Sequence, residues 1–185
     1  MRLIVGLGNP GNKFIETRHN TGFIVINALA KSLGITNFEL SKKGNAEYAW
    51  LTANDKRIEL FKPQTFVNNS GESVKYAYKK HPELKLSDVY VIHDDLDIKL
   101  GSYKIQTKGP KEHNGLLSIY EKIGSKNFWH VRVGIENRND LRLKNTDLKI
   151  SGEQYVLQKF TESEREILDK TIEKVVNELV TKLKD

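Results

Sequence analysis

Two short clusters of titratable side chains could do chemistry if folding brings them together: Thr17-Arg18-His19-Asn20 and His93-Asp94-Asp95-Leu96-Asp97. Imidazole is the side chain whose ordinary pKa lets it take and return a proton near neutral pH. A carboxylate that accepts one ring N–H fixes the tautomer and raises the basicity of the other nitrogen, so His19 with Asp94 would make a general base. Taken singly, an exposed histidine is more often idle than catalytic, and Asp94 could equally cap a turn. A third set, Asn9, Asn20, Asn68, Asn69 and Asn114, lies beside glycine or other turn residues. Neutral amides offer donors and acceptors without charge, which suits gripping a carbonyl, a water molecule or a peptide main chain, although asparagine is also a common turn residue. The chain has no cysteine, which excludes a thiol nucleophile, a thiolate metal site and disulfides and suits a reducing compartment.

The elements that must hold these residues are legible from periodicity. Residues 2–7 form a short apolar run that breaks into Gly8-Asn9-Pro10-Gly11, the pattern of a buried strand feeding a turn. Phe23, Ile26, Leu29, Ala30 and Leu33 recur at helical spacing and stop at Gly34, predicting a helix over 20–33 with Thr17 as a candidate N-cap. Two strand-like runs around Asn54-Asp55-Lys56 read as a hairpin, and 70–80 reads as a helix. The β-rich run 88–95 is expected to end at its acidic residues, placing Asp94 where carboxyl ends of α/β strands line a ligand crevice. Strands at 103–106 and 129–135 flank a helix at 113–123, and Leu168, Ile172, Val175, Leu179 and Leu183 mark an amphipathic C-terminal helix over about 161–183. The expected architecture is α/β: one domain over 1–185, an α/β/α sandwich around a central mixed, mostly parallel twisted sheet.

Gly6-Leu7-Gly8-Asn9-Pro10-Gly11 formally matches a dinucleotide-binding turn. Pro10 removes a backbone donor, however, the helix begins too late, and Ala30-Lys31-Ser32-Leu33 stands where an acidic residue should hold a ribose. Charge points elsewhere. Thirty Lys and Arg against 24 Asp and Glu give +6, and 97–149 alone holds eleven basic residues against six acidic ones. Such a surplus attracts a polyanion, with nucleic acid the usual one, although a solvated basic face has the same composition. No window approaches the roughly 18 apolar residues of a membrane span, so a soluble, unprocessed chain is expected.

Taken in order, GLGNPG (6–11), FIETRHNTGFIVI (14–26), PQTFVNNSG (63–71), VIHDDLDI (91–98), HNGL (113–116), VRVGI (131–135) and YVLQKF (155–160) resemble bacterial-type peptidyl-tRNA hydrolases over almost the whole chain. The resemblance implies hydrolysis of the ester between a peptide and tRNA, returning free tRNA to translation. It implies His19 as the base that deprotonates water and Asp94 as the residue orienting it. Asn9, Phe14 and Asn68 would hold substrate and Asn114 substrate or water, while basic residues near the mouth, for which Lys104, Lys108 and Arg132 are the choices, would bind the tRNA phosphates, Arg132 being the one that sits in a matching motif. It further implies a cytoplasmic monomer with no cofactor, no metal, no membrane and no obligate protein partner. This chain departs from the family pattern at 109–112, where a usually glycine-rich stretch reads Gly-Pro-Lys-Glu, and at Asn27, Val67, Leu117 and Gln158.

Two rival readings remain at the level of sequence. A metal-dependent hydrolase could draw on His19, His93, Asp94, Asp95, Asp97 and His113, with His93, Asp94 and Asp97 as the nearest-spaced set, although the spacing fits no standard ligand motif. A non-catalytic RNA-binding module would use the basic stretch with aromatic residues for stacking.

Overall fold

Strand β1 (Arg2–Gly6) is apolar at every position from Leu3 to Val5 because both of its faces are covered. In the computed structural model, which describes residues 1–138 and 150–184, β1 lies inside a seven-stranded sheet of order β2-β3-β4-β1-β5-β7-β6. The other strands are β2 (Glu39–Ser41), β3 (Ala46–Ala53), β4 (Lys56–Pro63), β5 (Val89–Lys99), β6 (Tyr103–Gln106) and β7 (Trp129–Glu136). Among the described residues, β4, β1, β5 and β7 run parallel in the middle, while β2, β3 and β6 join antiparallel at the margins. Half of the pairings are therefore antiparallel, a larger share than the expected mostly parallel sheet. The short β3–β4 turn is the reason on one side: Asn54 and Asp55 both take positive φ, at 50° and 58°, the backbone of a two-residue hairpin.

Helices cover both faces. Alternation along β1 sends Ile4 one way, into a core with Val25, Ile26 and Leu29 of α1 (Thr21–Ser32) and Leu168, Val175 and Leu179 of α5 (Glu162–Lys184). Leu3 and Val5 point the other way, toward Val74 and Ala77 of α2 (Ser70–Lys80) and Leu116 and Ile119 of α3 (Asn114–Ile123). Burying one such Leu, Ile or Val side chain is worth about 1.5–3 kcal/mol, so the apolar stripe of α5 holds it to the sheet without help from its exposed charges. Two elements escaped the periodicity: β2, too short for a pattern, and α4 (Gly152–Val156), a single turn set by the Ser151–Gln154 capping box.

Close approach of α1 to the sheet is what brings its leading turn to the carboxyl ends of the strands. A Cβ on Gly22 would collide with the Leu7 amide and the Ile92 carbonyl, and one on Gly6 would meet the Gly22 carbonyl, so neither position has room for a side chain. Strand β5 corrects a second expectation, since it runs on through its acidic residues to Lys99. Its pairing with β1 stops at Ile92, but β7 carries it on from Tyr90 to Asp95 and resumes after a register shift at Lys99. No described helix is long and apolar enough to cross a membrane. Arg142, Lys144 and Lys149, part of the basic stretch, lie outside the described residues.

Candidate active site

His19 occupies a single 3-10 turn, Arg18–Asn20, that leads into α1. Thr17 precedes that turn but does not cap it through its side chain. Its hydroxyl donates back to the Phe14 carbonyl at 2.8 Å, while Thr21 Oγ1 donates to the Arg18 carbonyl at 2.7 Å. Asp94 emerges from β5 just past the point where β1 has ended, and His19 Nδ1 lies 2.9 Å from its Oδ1. The carboxylate is 3% exposed and the imidazole 16%, so the pair is shielded while one edge of the ring still meets solvent.

Asp94 serves a second ring. His113, the N-cap of α3, places Nε2 at 3.2 Å from the same Oδ1 and accepts the Leu116 amide on Nδ1 at 3.4 Å. An ionised carboxylate only accepts, so both rings donate to it: His19 carries its proton on Nδ1 and His113 on Nε2. His19 Nε2 is left with its lone pair, whereas both nitrogens of His113 are engaged. Burial alone would raise the Asp94 pKa, but the two imidazoles hold it well below the ordinary carboxylate range. Burial alone would likewise lower the His19 pKa, yet the charge and hydrogen bond of Asp94 lift it above its ordinary 6.5. Behind His113, burial pushes His93 well below the usual histidine value and His130 down to about 4, so both stand neutral. Their rings meet edge to face at 5.8 Å, and His93 meets His113 at 4.9 Å.

The amides form the adjoining wall. Asn20 Oδ1 accepts from the Asn9 amide and Asn20 Nδ2 donates to the Asn9 carbonyl, both at 2.9 Å. Asn9 Oδ1 in turn accepts the Val67 amide at 2.9 Å, tying the loop after β1 to the turn Val67–Asn69. Asn68 in that turn and Asn114 at the first position of α3 are exposed. Phe14 meets Phe66 edge to face at 6.2 Å, and Phe66 is 56% exposed. A cleft of about 720 Å³ opens beside this wall and includes Asn9 and Asn20, but its floor is α1 and neither His19 nor Asp94 lines it.

Lys104 and Lys108 are exposed, whereas Arg132 is buried on β7 with Nε donating to Asp95 Oδ2 at 2.6 Å. The phosphate-binding candidate that sits in a family motif is thus met by a carboxylate inside the protein. The His93, Asp94 and Asp97 metal set is not assembled. His93 Nδ1 donates to the Asp94 carbonyl at 2.8 Å, and the described cluster with ligand atoms in reach is His19, Asp94 and His113, within 4.8 Å. That cluster is also a poor metal site, because a neutral imidazole binding metal through Nε2 carries its proton on Nδ1 and could not accept the Leu116 amide.

Reading by residue type left Phe66 unassigned and gave His113 only the part of a possible metal ligand. Signals for both were present, a histidine directly before a helix start and an aromatic directly before Val-Asn-Asn, but neither says what it faces. Two departures from the family pattern find an account. Asn27 stands where the family pattern has an acid; Lys62 Nζ donates to its Oδ1 at 3.1 Å and pairs with Glu47 at 2.7 Å, so Glu47 supplies the negative charge. Gln158 meets the His19 turn through its backbone carbonyl, which accepts the Arg18 amide at 3.0 Å, a contact that tolerates a changed side chain.

The model of one family, Peptidyl-tRNA hydrolase, matches residues 3–185. A peptidyl-tRNA hydrolase of Rickettsia bellii is 38% identical over 181 residues, 96% of this chain and 90% of its own. One of Geobacter sulfurreducens is 47% identical over 136 residues, 72% of this chain and 68% of its own. Among solved structures, the Acinetobacter baumannii peptidyl-tRNA hydrolase superposes with a TM-score of 0.77 at 30% identity, covering 98% of this chain and 91% of that one. A peptidyl-tRNA hydrolase crystallised with N-propanol gives 0.79 at 30% identity over 96% of this chain and 85% of that one. With the match running nearly end to end, the chain belongs to the peptidyl-tRNA hydrolase family.

Proposed function

We infer that this chain hydrolyses the ester joining a peptide, or an N-blocked amino acid, to the 3′ end of tRNA, with His19 as general base. The observation that carries the mechanism is the 2.9 Å contact of His19 Nδ1 with Asp94, which leaves Nε2 unprotonated toward the open edge of the ring. Nε2 takes a proton from water as the oxygen attacks the ester carbonyl, and the buried Asp94 carboxylate stabilises the imidazolium that forms. As the tetrahedral intermediate collapses, the proton passes from Nε2 to the departing ribose oxygen, giving a peptide carboxylic acid and free tRNA. Positioned proton transfer of this kind is worth about 100- to 10,000-fold.

Asn9, Asn68 and Asn114 supply uncharged donors for the carbonyl oxygen, the peptide main chain and the attacking water. Asn9 has its Oδ1 committed to Val67, so its Nδ2 is the group offered to substrate. Phe14, braced by Phe66, borders the peptide end. Lys104 and Lys108 bind phosphates of the acceptor arm; Arg132 contributes by holding Asp95 on the neighbouring strand. The chain acts as one domain over 1–185 and as a monomer, in the cytoplasm where peptidyl-tRNA is made.

Incubation with an N-blocked aminoacyl-tRNA tests the reading: wild type releases the amino acid, and His19→Ala retains tRNA binding with turnover nearly abolished. Undiminished release by His19→Ala would remove the histidine from the mechanism. Binding of tRNA by wild type with no release would favour the RNA-binding module.

A further inference from the structure

Arg18 immediately precedes His19, and it is buried where an arginine is ordinarily exposed. Its Nη2 donates to Glu164 Oε2 at 2.5 Å and its Nη1 to the Lys159 carbonyl at 2.9 Å. The guanidinium lies over the Tyr155 ring at 4.0 Å and near that of Phe160 at 5.2 Å. Glu164 is fully engaged: Oε2 also accepts the Thr161 amide at 2.9 Å, and Oε1 accepts Asn137 Nδ2 at 3.1 Å. Tyr155 is held in turn by donating its hydroxyl to the Ile135 carbonyl at 3.0 Å. One backbone hydrogen bond, from the Arg18 amide to the Gln158 carbonyl, and an isolated bridge between Thr17 and Lys159 complete the junction.

Three parts of the chain meet at this one side chain, the His19 turn, the segment from α4 to Phe160 and the first turn of α5, and the end of β7 joins them through Ile135 on Tyr155 and Asn137 on Glu164. Stability alone is a weak reason for such an arrangement, since removing two charges from water costs much of what their attraction returns and apolar residues often serve as well. Direction is what an arginine fork adds. Its planar donors admit one orientation against a carboxylate and a carbonyl, and that orientation is transmitted through a single peptide unit to His19. Among the described residues, the hydrogen bond that holds the His19 ring is its contact with Asp94.

We propose that Arg18 and Glu164 are positioning residues for the proton transfer, fastening the His19 turn to the C-terminal part of the chain so that the imidazole meets Asp94 at hydrogen-bonding distance. The proposal rests on His19 being the base. Neither residue touches substrate. If the anchor loosens, the His19 to Asp94 contact lengthens, the carboxylate supports the imidazolium less, and burial is left to favour the neutral ring. The turnover step is weakened, while Asn68, Asn114 and the lysines, which stand outside the His19 turn, stay in place.

The test compares full-length wild type, Glu164→Gln, Arg18→Lys and His19→Ala on N-blocked aminoacyl-tRNA across pH, with rates normalised to folded protein by circular dichroism. For Glu164→Gln we expect kcat to fall about 10- to 100-fold, the scale of a small misplacement at a reacting centre, with KM nearly unchanged and the acid limb of kcat/KM moved to lower pH. Arg18→Lys keeps the charge but loses the fork and should follow the same course more mildly. An unchanged kcat and acid limb in a folded Glu164→Gln, with only the melting temperature lowered, overturns the proposal. Should Glu164→Gln not fold, Arg18→Lys decides by the same two readings. Full turnover by His19→Ala would overturn the base assignment itself, an outcome distinct from inactive His19→Ala beside an unaffected Glu164→Gln.

Discussion

His113 donates from Nε2 to the same oxygen of Asp94 that holds His19, at 3.2 Å. One buried carboxylate is thereby fixed from two sides, by the first residue of one helix cap and by the turn before another helix. The two rings lie 5.3 Å apart between centroids, so neither can swing without disturbing the other.

Replacing His113 with phenylalanine should therefore act twice. It removes a hydrogen bond to a charged acceptor and the side-chain acceptor for the Leu116 amide at the start of α3. Loss of the cap costs about 0.5–2 kcal/mol in stability, read as a lowered denaturation midpoint. Loss of the donor lets Asp94 rotate, and a kcat decrease of about tenfold, equivalent to ~1.4 kcal/mol in the barrier, is expected. A His113→Phe enzyme with unchanged kcat would show that His19 alone fixes the carboxylate.

The pH profile follows from the raised pKa of His19. A general base works when neutral, so kcat/KM should rise with pH through a midpoint above 6.5. In Asp94→Asn the charge that lifts the imidazole is gone and burial dominates, so the limb should move to lower pH as the rate falls. Stability runs in the opposite sense. A histidine pKa raised by folding stabilises the protein below its unfolded value, and that contribution disappears as pH rises through the folded value. The stability gap between wild type and His19→Ala should accordingly shrink as pH rises from below 6.5 through the folded pKa. Asp94, depressed by folding, stabilises above its unfolded value near 3.8 and loses that contribution as pH falls toward its folded value.

A chelator should leave ester cleavage unchanged, and added zinc should not stimulate it, when turnover is followed at fixed tRNA concentration with enough background salt to keep the RNA folded. The physical ground is the tautomer of His113, whose Nδ1 accepts a backbone amide. Loss of activity on chelation, restored by metal, would reverse the assignment of His19 as a metal-independent base.

Lysine and arginine substitutions should separate. Lys104→Ala and Lys108→Ala remove exposed charges, so tRNA affinity should fall with a shallower dependence on salt, by about 0.7–0.9 in the logarithmic slope for each phosphate no longer neutralised, and kcat at saturation should hold. Arg132→Ala leaves a fully buried Asp95 side chain without its partner. Breaking such a pair costs about 3–5 kcal/mol, so the main effect should appear in thermal unfolding. A stable Arg132→Ala with a lowered salt slope would return this residue to the phosphate-binding set.

What the residues alone determined is the local part. The helix over 70–80, the hairpin around Asn54 and Asp55 and the amphipathic stripe of α5 follow from spacing and turn chemistry, which neighbouring residues settle among themselves. Asp94 could be named as a candidate because it follows a β-rich run, but that run was expected to stop there. Only the continued pairing with β7 keeps β5 extended to Lys99, and sheet partners distant in sequence leave no trace in a local pattern. The fate of the charged residues was likewise decided by tertiary structure. Arg18 and Arg132 are buried against Glu164 and Asp95, while Lys104 and Lys108 remain in solvent, because burial of a charge depends on whether a distant partner arrives to meet it. His19 and His113 were both visible as histidines near helix starts. That, among the described residues, one keeps a free nitrogen and the other has none was settled by where Asp94 and the Leu116 amide stand in space.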